Sequence, residues 1–245
     1  MLIIESDVMI KMMKKFNRYI KSFEDIDVGF IYYKFKKISS FCIYDQQNYD
    51  SLKYLIDNIN CIEQDAIEVT IDNRDIKCLN LVNSNDFTPT YHWYIYNVNN
   101  ETNIIDKNII EVKDREIVRN LLTDQVHELA MRMPSLFDEN GEEEDWYKLG
   151  DRCLAYLHNN MIISVLTYTI ENDNIHIYLT YTVPEYRSSG YGSILIEYMK
   201  CFSMKNNIKT ITVCTDVSEN NRVPNMLNKN KFAYFKTGYE KIIKK

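Results

Sequence analysis

The sequence lacks several features that define whole classes of protein. No apolar stretch is long enough to cross a bilayer, and the N-terminus has charged residues where a signal peptide has its apolar core. The 29 Lys and Arg and 35 Asp and Glu residues give a net charge of −6, spread evenly along the chain. Nucleic-acid-binding proteins usually carry a clustered basic surface. We therefore expect a cytoplasmic protein with no membrane and no nucleic-acid partner.

Cysteine and histidine are few and scattered. The six cysteines contain no C-x-x-C pair and sit mostly in apolar surroundings, which favours reduced, buried thiols. The four histidines are equally dispersed. Nothing here supports a metal site, because structural metal sites need several ligands at short spacings.

Glycine is also rare, with six in the chain, yet two of them fall two positions apart. The stretch VPEYRSSGYGSILIEYM, residues 183–199, joins a strand-like run, ended by Pro184, to a helix-like run. The first N–H groups of a helix have no intrahelical partner and lie at its positive end. Gly190 and Gly192 carry no Cβ that would block an anion there, and Arg187 adds charged donors. The pattern predicts a pyrophosphate site; a tight turn that simply needs glycine is the alternative.

The order of predicted elements suggests two α/β parts. Residues 1–100 contain a helix over 4–23, then strands and short helices, and a polar linker follows at 97–103. Residues 101–245 contain a helix over about 114–131, three strands in an antiparallel meander, the glycine turn, and then helix, strand, helix and strand. Strands followed by alternating strands and helices predict a mixed sheet with helices on both faces.

The glycine stretch resembles motif A of the GNAT N-acetyltransferase superfamily, R/Q-x-x-G-x-G/A after a strand. Downstream, TITVCTDVSENNRVPNMLNKNKF resembles its motif B, with Asn221 as the asparagine that opens a helix and Phe232 as the closing phenylalanine. Lys231 stands where the family usually has glycine. The resemblance covers about residues 105–245. It implies a mostly antiparallel GNAT sheet in residues 101–245, preceded by a smaller α/β domain in residues 1–100.

The resemblance also implies an acyl-CoA site. In the family the strand before the turn splays from its neighbour, pantetheine bonds the strand backbone, and the pyrophosphate lies on the turn. In this sequence Tyr181 and Val183 would supply the strand contacts. The remaining predicted cofactor residues are Arg187, Ser188, Ser189, Gly190, Tyr191, Gly192, Ser193 and Asn221.

The catalytic residues are harder to assign. The family often has a tyrosine acid seven residues after the motif B asparagine, and Asn228 occupies that place here. Tyr234 and Tyr239 are the alternative acids, and water is another. His176 is the candidate base, because its ordinary pKa suits proton transfer near neutrality. Strict alternation along the strand would place it on one polar face with Tyr178, Thr180 and Thr182.

The resemblance predicts an N-acetyltransferase that passes an acetyl group from acetyl-CoA directly to a primary amine, on a small molecule or a peptide, without a metal. One alternative is an inactive acyl-CoA-binding sensor or scaffold. A Fem-type aminoacyl-tRNA-dependent transferase and a cofactor-free interaction module are less favoured. The acidic loop at 138–145 is either part of the acceptor wall or a solvated surface. Residues 1–100 resemble a shortened GNAT-like half or an unrelated module, and a homodimer is left open.

Overall fold

The computed structural model describes residues 30–35, 38–43, 49–57, 66–99, 106–114, 117, 150–217 and 222–243. The predicted helix at 4–23, most of the helix at 114–131, the acidic loop and Asn221 lie outside these residues. The strands are β1 (Phe30–Phe35), β2 (Ile38–Ile43), β3 (Ala66–Asp72), β4 (Thr88–Asn97), β5 (Ile109–Glu111), β6 (Arg152–His158), β7 (Met161–Glu171), β8 (Asn174–Thr182), β9 (Thr210–Asp216) and β10 (Ala233–Ile242). The helices are α1 (Tyr49–Asp57), α2 (Ile76–Asn83), α3 (Tyr191–Lys205) and α4 (Val223–Lys229), with a 3₁₀ turn at Pro184–Tyr186.

The contacts divide the chain into two units. The first comprises residues 1–91, 135–142 and 235–245, and the second comprises residues 92–134 and 143–234. The C-terminal strand β10 therefore belongs mainly to the first unit, although its sequence follows the second. The predicted domain boundary at residue 100 stays a prediction.

The second unit has the strand order β4-β9-β8-β7-β6-β5. Strands β5 to β8 pair antiparallel, and β8 pairs parallel with β9. A parallel pair needs a long crossover, and α3 provides it between β8 and β9. The predicted mixed, mostly antiparallel sheet is confirmed.

The core of the second unit lies between one face of this sheet and the helices α3 and α4. Leu195, Ile196 and Met199 of α3 are fully buried against Ile175 and Ile177 of β8. The three residues of α3 follow helical spacing, and the two residues of β8 follow strand alternation. Each element therefore presents one apolar face. That packing holds the start of α3 at the end of β8.

The first unit has the strand order β1-β2-β3-β10, with β1 antiparallel to β2, β2 parallel to β3, and β3 antiparallel to β10. Its separate core includes Val69, Val82, Phe87 and Tyr239. The helix α2 begins at Asp75, whose carboxylate accepts a hydrogen bond from the Cys78 N–H. This acceptor satisfies one of the N–H groups at the helix start.

The two units repeat one order of elements. Each has an antiparallel strand pair (β1–β2, β7–β8), a helix (α1, α3), a strand parallel to the second of the pair (β3, β9) and a second helix (α2, α4). The closing strands are exchanged: β10 pairs with β3, and β4 lies beside β9. The shortened GNAT-like half expected in residues 1–100 stays a prediction.

Candidate functional site

A gap opens between the two parallel strands of the second unit. The described ladder between β8 and β9 ends at Ile177 and Val213. Both strands continue beyond it, β8 to Thr182 and β9 to Asp216. Backbone N–H and C=O groups on the facing edges of that stretch are therefore not used by this ladder. An extended ligand can bond to them.

A β-bulge at Tyr178 lies where the gap begins. Thr167 of β7 faces Leu179, and its neighbour Tyr168 faces Ile177, so Tyr178 is one extra residue in β8. A bulge bends its strand and increases its twist. The bend therefore occurs at the residue where β8 and β9 part.

The bulge also reverses the alternation of β8, which corrects the predicted polar face. His176 lies between Ile175 and Ile177, which face the core under α3. Thr182 lies on the α3 side as well, because its Oγ1 is 3.9 Å from the position that a Cβ on Gly192 would take. His176 and Thr182 are therefore on opposite faces of the sheet, since one extra residue shifts a period of two.

The strand contacts predicted from Tyr181 and Val183 are corrected as well. The Val183 N–H donates to the Ile163 carbonyl of β7 at 2.9 Å, and the Val183 carbonyl accepts from the Tyr186 N–H at 2.9 Å. Antiparallel strands alternate the direction of their peptide groups. Because Val183 and Tyr181 face β7, the peptide groups of Thr180 and Thr182 face the gap.

The glycine turn forms the start of α3. Gly190 is the N-cap, with φ 88° and ψ 0°, in the left-handed region that L side chains rarely adopt. The first intrahelical hydrogen bond runs from the Ile194 N–H to the Gly190 carbonyl at 3.0 Å. The N–H groups before Ile194 therefore have no acceptor inside the helix and mark its positive end.

The two glycines have different surroundings. A Cβ on Gly190 would meet nothing within 4 Å, so the left-handed backbone borders open space. A Cβ on Gly192 would lie 3.2 Å from the Met226 sulfur. Gly190 therefore leaves room for a ligand, whereas Gly192 lets α4 approach α3 closely.

The polar residues of the turn divide between exposed and structural positions. Ser188 (φ 66°) and Ser189 are exposed. The Arg187 Nε donates to the Thr182 carbonyl at 3.0 Å, and its guanidinium lies 5.5 Å from the centre of the Tyr181 ring. The terminal nitrogens of Arg187 bond to none of the described residues. They remain at the turn as charged donors.

Two other predicted turn residues hold the turn to its neighbours. The Ser193 Oγ accepts a hydrogen bond from the Asn230 side chain at 3.1 Å, which links the start of α3 to the end of α4. The Tyr191 ring packs against Tyr156 of β6, with centroids 4.9 Å apart. Both side chains have structural contacts in addition to any contact with a ligand.

His176 lies on the face of the sheet opposite α3, one residue before the β8–β9 ladder ends at Ile177. Its Nδ1 is 3.0 Å from the Thr212 Oγ1, and its ring lies 5.4 Å from Trp93 and 4.5 Å from Tyr178, centroid to centroid. Burial lowers the pKa of His176 to about 4, because a buried imidazolium loses its hydration. The ring is therefore neutral at pH 7, and it is a weaker base than an ordinary histidine.

The candidate acids and the residue at the family's tyrosine position differ in exposure and surroundings. Tyr234 is 44% exposed, with its ring 4.6 Å from His92 and 5.6 Å from Tyr94. Tyr239 is 8% exposed and packs in the core of the first unit, where a core tyrosine needs no catalytic role. Asn228, at the family's tyrosine position, is exposed on α4. Of the two tyrosines, Tyr234 is the more exposed.

A clamp between α3 and α4 was hardly predictable from the sequence. The Lys200 side chain is buried, and its Nζ donates to the Glu197 carboxylate at 2.5 Å and to the Asn230 carbonyl at 2.7 Å. It also lies 4.5 Å from the centre of the Tyr96 ring. The Glu197–Lys200 spacing is the only part visible in sequence, as an i,i+3 pair. The clamp fixes α4 beside the glycine turn.

The residue that replaces the family glycine ends α4 in a Schellman motif. The Lys231 N–H donates to the Asn228 carbonyl and the Phe232 N–H to the Leu227 carbonyl, both at 3.0 Å. Lys231 has φ 61°, in the left-handed region. The motif explains why glycine suits this position, and it places Phe232 in the core beside Leu227.

Diverging parallel strands, a bulge at their fork and a glycine turn at the next helix define an N-acetyltransferase type of fold. Residues 121–232 match the model of the Acetyltransferase (GNAT) family. No curated sequence matches the chain.

Several solved structures share the fold. An acetyltransferase of the GNAT family from Colwellia psychrerythraea has a TM-score of 0.58 and 10% identity, with 98% of both chains covered. A GCN5-related N-acetyltransferase from Sphaerobacter thermophilus has a TM-score of 0.55 and 10% identity, covering 89% of this chain and 77% of that one. A tandem GNAT protein from the clavulanic acid biosynthesis pathway has a TM-score of 0.54 and 8% identity, covering 91% and 81%. At these identities the likeness concerns the fold alone. Among the described helices, none is both long and apolar enough to cross a membrane.

Proposed function

We propose that the chain transfers an acetyl group from acetyl-CoA directly to the nitrogen of a primary amine. The observation that carries the proposal is the fork in the sheet next to Gly190. The ladder ends at Ile177, β8 runs on to Thr182, and the open space at Gly190 follows at the start of α3. An extended strand of six residues spans about 20 Å. A ligand with a long extended arm and an anionic end fits this arrangement.

The residues present suit coenzyme A. The N–H groups at the start of α3 and the guanidinium of Arg187 would hold the pyrophosphate. The peptide groups of Thr180 and Thr182 would bond the amides of the pantetheine arm along the gap. The Thr182 carbonyl now accepts from Arg187, so that bond would be released if the arm used the same carbonyl.

Acetyl-CoA supplies an activated thioester with a thiolate leaving group, so the chain needs no covalent nucleophile. Its residues would bring the amine and the thioester together, and positioning of this kind removes much of an entropic barrier. A peptide N–H facing the gap, from Thr180 or Thr182, would polarise the carbonyl. His176, neutral at pH 7, would accept a proton from the amine as the nitrogen bonds to carbon and becomes more acidic.

One observation favours a second function, an acyl-CoA-binding sensor or scaffold without turnover. Asn228 occupies the family's tyrosine position, and an amide cannot donate a proton as an acid. The Tyr234 hydroxyl or water would have to protonate the leaving thiolate. Thiolates leave readily without this help, so we favour the enzyme.

Thermal unfolding with acetyl-CoA, CoA and ATP tests the cofactor part of the proposal. A ligand that binds only the native state at 100 times its dissociation constant adds about 2.7 kcal/mol. We expect this from acetyl-CoA and CoA but not from ATP. Gly190→Asn is the matched variant, because asparagine tolerates positive φ while its side chain fills the open space. Stabilisation of the wild type by neither CoA species contradicts the proposal.

Thiol release with a panel of primary amines then tests turnover. Release that depends on both acetyl-CoA and an amine supports the enzyme. Binding without release for any amine supports the sensor. A cytoplasmic location and a homodimer stay predictions.

A further inference from the structure

The Thr212 hydroxyl stands at the centre of a small polar group on the face of the sheet opposite α3. Three residues surround it: His176, whose Nδ1 lies at 3.0 Å, Asn174, whose Nδ2 donates to it at 3.2 Å, and Ile175, whose carbonyl lies at 3.4 Å. The Asn174 carbonyl oxygen accepts from the Thr210 hydroxyl at 2.8 Å, which orients its amide. The hydroxyl therefore has around it the amide donor of Asn174, one imidazole nitrogen and two acceptors, the Ile175 carbonyl and, at 3.5 Å, the Asn174 carbonyl oxygen.

A hydroxyl has one proton to donate and two lone pairs to accept with. If Thr212 donates to Nδ1 of His176, the Ile175 carbonyl receives nothing from it and one lone pair stays unused. If Nδ1 carries a proton and donates instead, Thr212 accepts from His176 and Asn174 and donates to Ile175. Only the second arrangement uses all three neighbours. Thr212 and His176 are half-buried, and polar groups removed from water generally reach such full pairing.

We propose that Thr212 is a positioning residue that holds His176 in the tautomer with a proton on Nδ1 and the lone pair on Nε2. Trp93 and Tyr178 pack against the imidazole. A half-turn of the ring would put a carbon where Nδ1 lies and break the bond to Thr212. The contribution of Thr212 to turnover rests on the proposed acyl transfer; the tautomer itself does not.

The assignment matters because the tautomer decides what His176 can do. Free histidine prefers its proton on Nε2, and a ring in that form offers no lone pair on the side away from Thr212. With the proton on Nδ1, Nε2 is a hydrogen-bond acceptor and a base. In catalytic triads a hydrogen bond to Nδ1 plays the same orienting part.

Nitrogen NMR of protein labelled in its histidines tests the tautomer without any activity assay. There are four histidines, and comparison with His176→Gln identifies the signals of His176. At pH 7 we expect a protonated Nδ1 and an unprotonated Nε2 in the wild type. The opposite pattern in the wild type overturns the proposal, and no variant has to fold for that result.

Two variants of Thr212 separate the hydroxyl from the packing. Thr212→Val removes the hydroxyl at nearly constant volume, and we expect His176 to shift towards the Nε2–H tautomer. Thr212→Ser keeps the hydroxyl and is the control that should retain the wild-type pattern. An unchanged tautomer in a folded Thr212→Val protein overturns the role of Thr212.

Turnover provides the second measurement. We expect Thr212→Val to lower kcat by about tenfold to a hundredfold, as the loss of part of general-base catalysis does, with KM for acetyl-CoA nearly unchanged. Thr212→Ser should keep most of kcat. A shifted tautomer with unchanged kcat removes His176 from the proposed reaction. Absence of turnover in the wild type contradicts the proposed function and leaves the tautomer to be decided by NMR.

Discussion

The contrast between Gly190 and Gly192 yields the most direct test of the site. Both belong to the same motif, but only Gly190 has positive φ, and only Gly192 touches a side chain of another helix. Replacing each by alanine adds one methyl group in each place. The structure predicts a loss of stability and binding for the first change and almost no effect for the second.

Gly190→Ala should destabilise the protein and weaken acetyl-CoA binding. A left-handed conformation costs an L residue about 1–2 kcal/mol. Alanine recovers part of this by restricting the unfolded chain, by about 0.4–1 kcal/mol, so the net loss is about 1 kcal/mol. For a chain of this length that lowers Tm by about 2–4 °C. The methyl group also enters the open space where the pyrophosphate would lie.

Gly192→Ala should leave both properties nearly unchanged. Alanine is better than glycine inside a helix by up to about 1 kcal/mol. The Met226 sulfur, 3.2 Å from the new methyl carbon, must move by a few tenths of an ångström. Methionine is flexible enough to do so at little cost. The two effects oppose each other, and stability should stay within about 0.5 kcal/mol of the wild type.

Thermal unfolding of wild type and both variants, with and without acetyl-CoA, measures all four quantities. We expect the Tm increase caused by acetyl-CoA to persist in Gly192→Ala and to shrink in Gly190→Ala. The reverse result, with the ligand shift lost only in Gly192→Ala, would refute the assignment of the open space to the cofactor.

Three further predictions concern stability, pH and stoichiometry. Lys231→Gly should stabilise the protein by about 1 kcal/mol, or 2–4 °C in Tm, because it relieves φ 61° at the end of α4; Lys231→Ala is the control, and an equal gain from it contradicts the reasoning. The unfolded His176 side chain binds a proton below about pH 6.5 and the folded one only near its pKa of about 4, so the free energy of unfolding should fall between pH 6.5 and 4 by up to about 3 kcal/mol. Urea unfolding should show a smaller fall for His176→Gln, and identical pH profiles would contradict the buried, neutral ring. Calorimetry should find one acetyl-CoA per chain. In the first unit the connection that corresponds to the glycine turn is residues 44–48, between β2 and α1, and it contains no glycine; two sites per chain would disprove this.

Much of the site was predictable because its parts are local in sequence. Gly190, the strand before it and the helix after it are consecutive, and a helix start attracts anions wherever it occurs. The order of strands and helices likewise followed from hydrophobic periodicity, and the family resemblance extended it to a fold. The left-handed position of Lys231, directly after the C-cap Asn230 of α4, also depends only on local residues.

The incorrect details all depended on neighbours that are distant in sequence. Alternation placed His176 and Thr182 on one face, but the bulge at Tyr178 exists only through the register of β8 against β7. The choice of Val183 for a cofactor contact failed because its peptide groups bond to Ile163 and Tyr186. An ordinary pKa was assumed for His176, and its burial lowers that value.

The residues of the chain thus indicate where the glycine turn at the start of a helix lies and which family the chain resembles, since a helix start needs only adjacent residues. Which peptide groups face the gap, which face carries His176 and which core receives Tyr239 were decided by strand register and by the exchange of closing strands. These are pairings across the sheet, and one inserted residue changes them while leaving every local pattern in the sequence intact.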